Sequence, residues 1–411
     1  MRLTRIENVF FYLVSAGFLM PILPNFLRNF IIAALLLISI YGLFDKNTKV
    51  VPDYKLMILG SLLYITYLVS LFYTENLSIG LRKIETGASL ILIPLIFSFI
   101  PENVSCKLKD NLDLLFRCFI FSTAFSFLVF WLYFWEQYQM TLFIHFPTVI
   151  DEHLGPYTIH AIYLSMHGAI SLLFSLYLFS RKKTKLYQLI LIIIADIVIL
   201  LILLILVKKG PILSLIISGA YLAFSYRNKT IMIALGALCV IFISVISFNT
   251  KANEKFSELL RLGEKDSTEL TSTNIRLTIY SCVNKAIPEA GLFGYGIGDT
   301  KSILLDCYSN ENEELVRREY NSHNQYLSIL LRTGYMGLFS FALFIIFIIV
   351  SAYRHKAFIT ISILLFYLLV MFSENILERE NGVVYFCFFI SFLYSVFKTT
   401  DLVKPINEEQ E

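Results

Sequence analysis

The sequence predicts an all-α polytopic membrane protein, with about twelve transmembrane helices and one large external (periplasmic) loop that itself contains short helices. Three observations carry this. The 411 residues are 57% hydrophobic and only 16% charged, against roughly 25% charge in an ordinary soluble domain. The apolar stretches are continuous, which suits spanning helices and not membrane-barrel strands, whose residues alternate apolar and polar. Lys and Arg gather in every second gap between those stretches, as they do in cytoplasmic loops.

A spanning helix needs about 20 mostly apolar residues. By that measure spans fall near 6–23, 26–44, 56–73, 84–100, 114–135, 158–180, 186–206, 211–226, 230–248, 335–353, 357–373 and 383–397. The opening Met1-Arg-Leu-Thr-Arg5 looks like the charged start of a signal peptide. The apolar run behind it passes through Pro21 and Pro24 without a small-residue cleavage site, so it reads as the first span.

With the N-terminus inside, the inner gaps hold Lys46, Lys49 and Lys55; Lys107 and Lys109; Arg181, Lys182, Lys183 and Lys185; Arg227 and Lys229; Arg354 and Lys356; and Lys398 and Lys404. The stretch 119–180 has no Lys or Arg, and its loop carries Glu136, Asp151 and Glu152. The resulting organisation is transmembrane helices 1–9 over 1–248, the periplasmic loop over 249–322, helices 10–12 over 323–397, and a cytoplasmic tail over 398–411. Both termini lie inside. The net charge of +3 implies no polyanionic partner such as nucleic acid.

Two basic pairs break the pattern. Arg82 and Lys83 are expected to snorkel to lipid phosphates. Lys208 and Lys209 sit at the outer mouth of a helix, just before Gly210 and Pro211, where misplaced cations point to a functional role.

The external segment is polar and mixed in charge as far as Ser272. A helix is expected over 274–287, capped by Ser272 or Thr273 and ended by Pro288. Ile275, Ile279, Val283 and Ile287 form its apolar stripe; Arg276, Tyr280 and Asn284 form the polar stripe beside it. Cys282 and Cys307 are the only cysteines of this segment. An oxidising compartment permits a bridge between them; two buried free thiols are the alternative. With Cys106, Cys118, Cys239 and Cys387 they make no CxxC or Cys/His zinc spacing, so no metal and no cofactor is implied.

Gly291-Leu-Phe-Gly-Tyr-Gly-Ile-Gly-Asp299 has the look of a nucleotide fingerprint but lacks the βαβ setting that motif requires. A tight re-entrant turn, bringing backbone close to its neighbours, is expected; its N–H groups could also cradle an anion. Asn321-Ser-His-Asn-Gln-Tyr-Leu327 opens the next helix. With Asn321 or Ser322 as cap, His323 falls in the first turn, where the helix field welcomes an anion and holds the imidazole neutral. A lone His there is ordinarily a cap or surface residue. It gains weight because the Gly turn, Arg276, Lys208 and Lys209 share its membrane face. Together they suggest a cationic pocket with one base, fit for a lipid-linked phosphate or pyrophosphate.

Other candidates are less directed. His160, Tyr163 and His167 share one helix face and either line a cavity or make interhelical hydrogen bonds. Asp196 sits mid-span, as a functional acid or one half of a structural pair. Glu374, Glu378 and Glu380 could bind an acceptor, orient a base or form a solvated loop.

The glycine run followed by His323-Asn-Gln-Tyr-Leu327 and Thr333-Gly-Tyr-Met-Gly-Leu338 resembles the O-antigen ligase/polymerase superfamily of bacterial inner-membrane glycosyltransferases. His160-Ala-Ile-Tyr163 is similar to a His-x-x-Tyr helix start of that family. Glu374-Asn-Ile-Leu-Glu-Arg379, followed by Gly382, is similar to its late Glu-x-x-Leu-Glu-Arg signature. The likeness covers about 158–397; the first five spans match in hydropathy only.

The resemblance implies a GT-C-like glycosyltransferase that moves a glycan from a polyprenyl-pyrophosphate carrier, such as undecaprenyl pyrophosphate, to an acceptor hydroxyl, with inversion and without metal. It implies catalytic roles for His323 and Arg276, and pyrophosphate binding by Arg276 with Lys208 or Lys209. The family commonly has Arg at that last position; Lys keeps the charge but loses the fork. His160, Tyr163, Asn324, Tyr326, Glu374, Glu378 and Arg379 are cavity-lining candidates. The acceptor stays open: a lipid A core makes a ligase, a growing glycan a polymerase, and a protein hydroxyl a protein O-oligosaccharyltransferase. A transporter of lipid-linked sugars would instead need polar residues through the whole bundle and paired inverted halves. A scaffold would tolerate replacement of the basic residues and of His323.

Overall fold

A computed structural model describes residues 3–181, 185–248, 253, 254, 257, 272–311 and 313–398. Lys182, Lys183, Lys404, most of the polar stretch 249–271 and the side chains of Ser272 and Thr273 lie outside the described residues. Among those described, all regular structure is helical.

The helices are α1 (Arg5–Ala16), α2 (Asn25–Phe44), α3 (Tyr54–Ser70), α4 (Leu77–Gly87), α5 (Ser89–Ser98), α6 (Glu102–Asp110), α7 (Leu112–Tyr138), α8 (Leu142–Glu152), α9 (Ala161–Phe179), α10 (Leu186–Leu206), α11 (Lys209–Tyr226) and α12 (Lys229–Phe248). They continue as α13 (Ser272–Ala290), α14 (Thr300–Ser309), α15 (Glu313–Arg318), α16 (Gln325–Arg354), α17 (Phe358–Val370) and α18 (Glu380–Lys398). Every apolar stretch read as a span falls on helix. Among the described residues six are long and apolar enough to cross a membrane: α2, Leu112–Glu152 as one run, α9, α10, α16 and α18. A seventh is the pair Leu77–Ser98 and Glu102–Asp110, bent by 98°. The other stretches are shorter helices, such as α3 and α17.

Local sequence sets the ends. The Thr4 side chain accepts from the Glu7 N–H while Glu7 reaches back to the Thr4 N–H, a reciprocal cap that starts α1. Asp53 caps α3. Inside the bundle α9 and α18 are buried nearly all round, 94% and 83% of their apolar windows, whereas α2 and α10 bury about a third. Helices apolar on every face belong at the centre, and those with one packed face at the lipid boundary. Phe18, Phe116, Phe119, Phe174 and Phe389 interlock edge-to-face and stacked between α7, α9 and α18.

The glycine run is a turn, as expected, and it plugs a break in α16. Gly334 stands inside α16 with φ +60° and ψ −158°, a region essentially reserved for glycine. The carbonyls freed there are taken up by the turn: Tyr295 N–H donates to the Leu331 carbonyl at 2.8 Å and Gly296 N–H to that of Arg332 at 3.0 Å. In return Tyr335 and Met336 N–H donate to the Gly291 and Leu292 carbonyls. The Gly294 N–H donates to the Ala290 carbonyl, that of Ile297 to Ser70 Oγ and that of Gly298 to Thr74 Oγ1. From Gly294 to Gly298 every N–H is thus engaged within the protein, and none of these five is left to cradle an anion. A methyl on Gly334 would lie 2.3 Å from the Leu292 backbone. Gly334→Ala should cost about 3 kcal/mol or more, strain plus clash. Gly236→Ala, with open space around it, should be neutral. Thermal unfolding in detergent checks this; equal melting of the two variants would contradict it.

The external helix α13 departs from expectation at one end. It runs through Pro288 to Ala290 and stops at Gly291, φ +54°. A proline near a helix end forfeits only one late hydrogen bond, so glycine, not proline, is the terminator here. Ile279, Cys282 and Val283 pack with Leu304, Tyr308, Leu315 and Leu331 into a small core apart from the bundle. Cys282 and Cys307 are disulfide-bonded, with Cα atoms 5.7 Å apart, so the bridge ties α13 to α14. Closing a loop of this length stabilises by about 3 kcal/mol.

Candidate functional site

Residues 371–379, between α17 and α18, are the hub on which the other segments converge. Tyr280 of α13 donates its hydroxyl to the Phe372 carbonyl at 3.1 Å and to that of His323 at 3.4 Å. Gly210 approaches so closely that a methyl there would meet Ser373 Oγ at 2.6 Å, which sets the Lys208–Lys209 turn against the same loop. Gln325 donates its N–H to the Met371 carbonyl at 2.8 Å and accepts from the Leu377 N–H at 2.7 Å. The Tyr163 hydroxyl faces the Asn375 carbonyl at 3.5 Å.

His323 is not in the first turn of its helix. The cap of α16 is Asn324, whose Oδ1 accepts from the Tyr326 and Leu327 N–H groups. Asn321 and Ser322 have other work: Asn321 Oδ1 accepts the His323 N–H at 3.0 Å, and Ser322 Oγ donates to the Asn324 carbonyl at 3.0 Å. His323 sits between Ser322 and Asn324 with φ +44°. A non-glycine residue held left-handed is strained by about 1–2 kcal/mol, and such strain collects at functional positions. The side chain so presented faces Glu374, Nδ1 to Oε2 3.7 Å, with exposures of 22% and 12%. What acts on the imidazole is a buried carboxylate rather than the helix end.

Glu374 is the electrostatic centre. Burial pushes its carboxyl up, but His323, His160 and Arg276 around it outweigh burial and hold it below the ordinary glutamate range. It is therefore ionised at neutral pH. Arg276, on the predicted polar stripe of α13, brings a guanidinium whose Nε is buried with no hydrogen-bond partner among the described residues. Lys208 precedes α11. Burial lowers its ammonium below the usual lysine range, Glu374 opposes that, and the like charge of Arg276 reinforces it. The charge of Lys208 meets Glu374, Arg276 and His160; Lys209 is the first residue of α11.

The less directed candidates divide. His160 caps α9 through Nδ1 and has Nε2 3.8 Å from Asp151, within reach of the charges of Lys208, Arg379 and Glu374. Tyr326 spends its hydroxyl on the Leu368 carbonyl at 2.8 Å, a packing role. His167 lies deep, its ring against Tyr385 at 4.0 Å. Asp196 is half of a pair, accepting from Ser175 Oγ at 2.7 Å. Arg379 is exposed.

The sequence reading missed two members. Arg332, 3% exposed, forms an ion pair with Glu378, which also accepts from Ser328 Oγ and, at 2.7 Å, from Asn375 Nδ2. Burial pushes the Glu378 carboxyl up, but Arg332, Lys83 and those hydrogen bonds hold it below its ordinary range. Glu378 is thus no solvated loop residue. Lys83 does not snorkel to lipid: its Nζ reaches Thr300 Oγ1 at 3.4 Å. The signal for Arg332 was present, a lone cation within an apolar run.

Fold and site together define a multi-pass, all-helical membrane protein whose buried ionic cluster sits where α13, α16 and the hub loop meet. A family model described as O-antigen ligase matches residues 194–342, about a third of the chain, and this similarity supports the O-antigen ligase/polymerase superfamily. The matched segment contains Lys208, Arg276, the glycine turn, His323 and Arg332. No curated protein matches the chain.

Proposed function

We propose that this protein is a glycosyltransferase of the inner membrane, which moves a glycan from a polyprenyl-pyrophosphate carrier to an acceptor hydroxyl on the periplasmic side. The observation that carries the reading is the meeting of one imidazole, one buried carboxylate and two cations, His323, Glu374, Arg276 and Lys208, in a chain that matches the O-antigen ligase family model.

The acceptor oxygen attacks the anomeric carbon as the bond from that carbon to the pyrophosphate oxygen breaks, with inversion. Nδ1 of His323 faces Glu374, which leaves Nε2 to take the hydroxyl proton. The ionised Glu374 holds the ring and stabilises the imidazolium that forms. Arg276 and Lys208 receive the charge that develops on the leaving pyrophosphate. The reaction asks for no metal. Twelve spans, a GT-C-like arrangement and cytoplasmic termini complete the reading. Lipid A core, growing glycan and protein hydroxyl all fit as acceptor.

Two experiments test it. In a transfer assay Lys208→Ala should weaken donor use at least tenfold and Lys209→Ala much less, while Arg276→Lys should lose most of the rate, because an ammonium cannot grip two phosphate oxygens at once. Equal effects of the two lysines would remove the assignment. For topology, an impermeant thiol reagent should label single cysteines at Glu152 and Lys285 from outside and spare one at Lys356; outside labelling of the last would break the twelve-span alternation.

A further inference from the structure

Behind the His323–Glu374 pair lies a second polar cavity of about 230 Å³. Its wall is thin. Ser322 and Asn375, the chain neighbours of His323 and Glu374, line this cavity and bond to each other, Asn375 Nδ2 to Ser322 Oγ at 3.1 Å. Lys83, Arg332, Glu378, Lys301 and Tyr320 also line it; Arg332 is buried, whereas the Lys301 side chain is 41% exposed.

The lining is rich in basic side chains and incompletely satisfied. Three of them, Lys83, Lys301 and Arg332, face two carboxylates, Glu319 and Glu378. Glu319 is tied to Lys301 at 2.6 Å, and Glu378 to Arg332. Lys83 keeps a 3.4 Å contact to a hydroxyl. The nearby Asp299 carboxylate is turned to the Glu75 and Asn76 N–H groups. Arg332 is 3% exposed, and its Nε has no hydrogen-bond partner among the described residues. Asn321, Ser322, Ser328 and Asn375 add neutral donors and acceptors, and Tyr320 adds a ring face. Amides, hydroxyls and an aromatic face suit a sugar ring, and three basic side chains, one of them the buried Arg332 with its unpartnered Nε, suit an anionic substituent on it. The volume is below the roughly 300 Å³ at which drug-sized sites begin, room for one ring and not for a chain.

We infer that this cavity is a subsite for a single acidic sugar unit, separated from the His323–Glu374 pair by one layer of backbone. That the sugar belongs to a transferred or receiving glycan rests on the proposed function; the binding itself does not. The test is calorimetric titration of the full-length protein in detergent with methyl glucuronide, methyl glucoside and inorganic phosphate. The glucuronide should bind at least tenfold tighter than the glucoside. Lys301→Glu and Lys83→Met should each weaken it at least tenfold, with melting temperature confirming a folded protein. Equal binding of the two glycosides, binding of phosphate alone, no binding, or indifference to Lys301→Glu would overturn the inference. Glucuronide binding by a protein that transfers no glycan would leave the subsite standing and remove the transferase reading.

Discussion

His323→Ala should lower glycan transfer by about 10²–10⁴-fold, the usual yield of a positioned general base, with expression and melting close to wild type. The side chain lies 3.7 Å from Glu374 and its ring centroid 5.6 Å from that of Tyr320, and no short hydrogen bond is lost with it. Alanine at φ +44° stays strained, so a small drop in stability is expected; His323→Gly should relieve it and still be inactive. Glu374→Gln should lose less rate than His323→Ala, because the ring remains and only its orientation and the stabilisation of its charged form are lost. If His323→Gly transfers at the wild-type rate, the imidazole has no part in the reaction.

Arg332→Met should be the most damaging substitution for stability, about 3–5 kcal/mol, because it strands a buried carboxylate. Lys83, whose charge also reaches Glu378, should compensate only in part. The double variant Arg332→Met with Glu378→Met should recover much of the loss, since a well-packed apolar pair can replace a buried ion pair at little cost. The sign of the pH dependence follows from Glu378. Its carboxyl is held below its ordinary range in the folded protein, so its contribution is full above that range and is lost as pH falls through the lowered value. Melting against pH should therefore slope more steeply in the wild type than in the double variant on the acid side. An Arg332→Met protein as stable as wild type would show that the pair holds nothing together.

The positions of the helices were legible because hydropathy is a property of whole segments. So was the polar stripe of α13, which carries Arg276 and Tyr280 to the hub, because helical spacing alone puts them on one face. The start of α16 was misread by two or three residues. Asn321, Ser322 and Asn324 are all good caps by type, and only tertiary contact with residues 371–377 decides that Asn324 is the one used. The Arg332–Glu378 pair was hidden for a similar reason. Forty-six positions separate the partners in the chain, and the glycine turn that opens α16 beside Arg332 declares itself only once Gly294 and Gly334 are seen against each other. Lys83 was assigned to lipid because a basic residue at a helix boundary ordinarily goes there; nothing in its neighbours announces Thr300.

The most direct measurement is transfer by the purified, reconstituted protein, supplied with polyprenyl-pyrophosphate glycan and, in parallel, lipid A core, glycan and protein acceptors, with chelator present. The account predicts glycan on one acceptor, with inverted anomeric configuration and stoichiometric polyprenyl pyrophosphate released. Movement of intact lipid-linked glycan across the bilayer, with no new glycosidic bond to any acceptor, would contradict it.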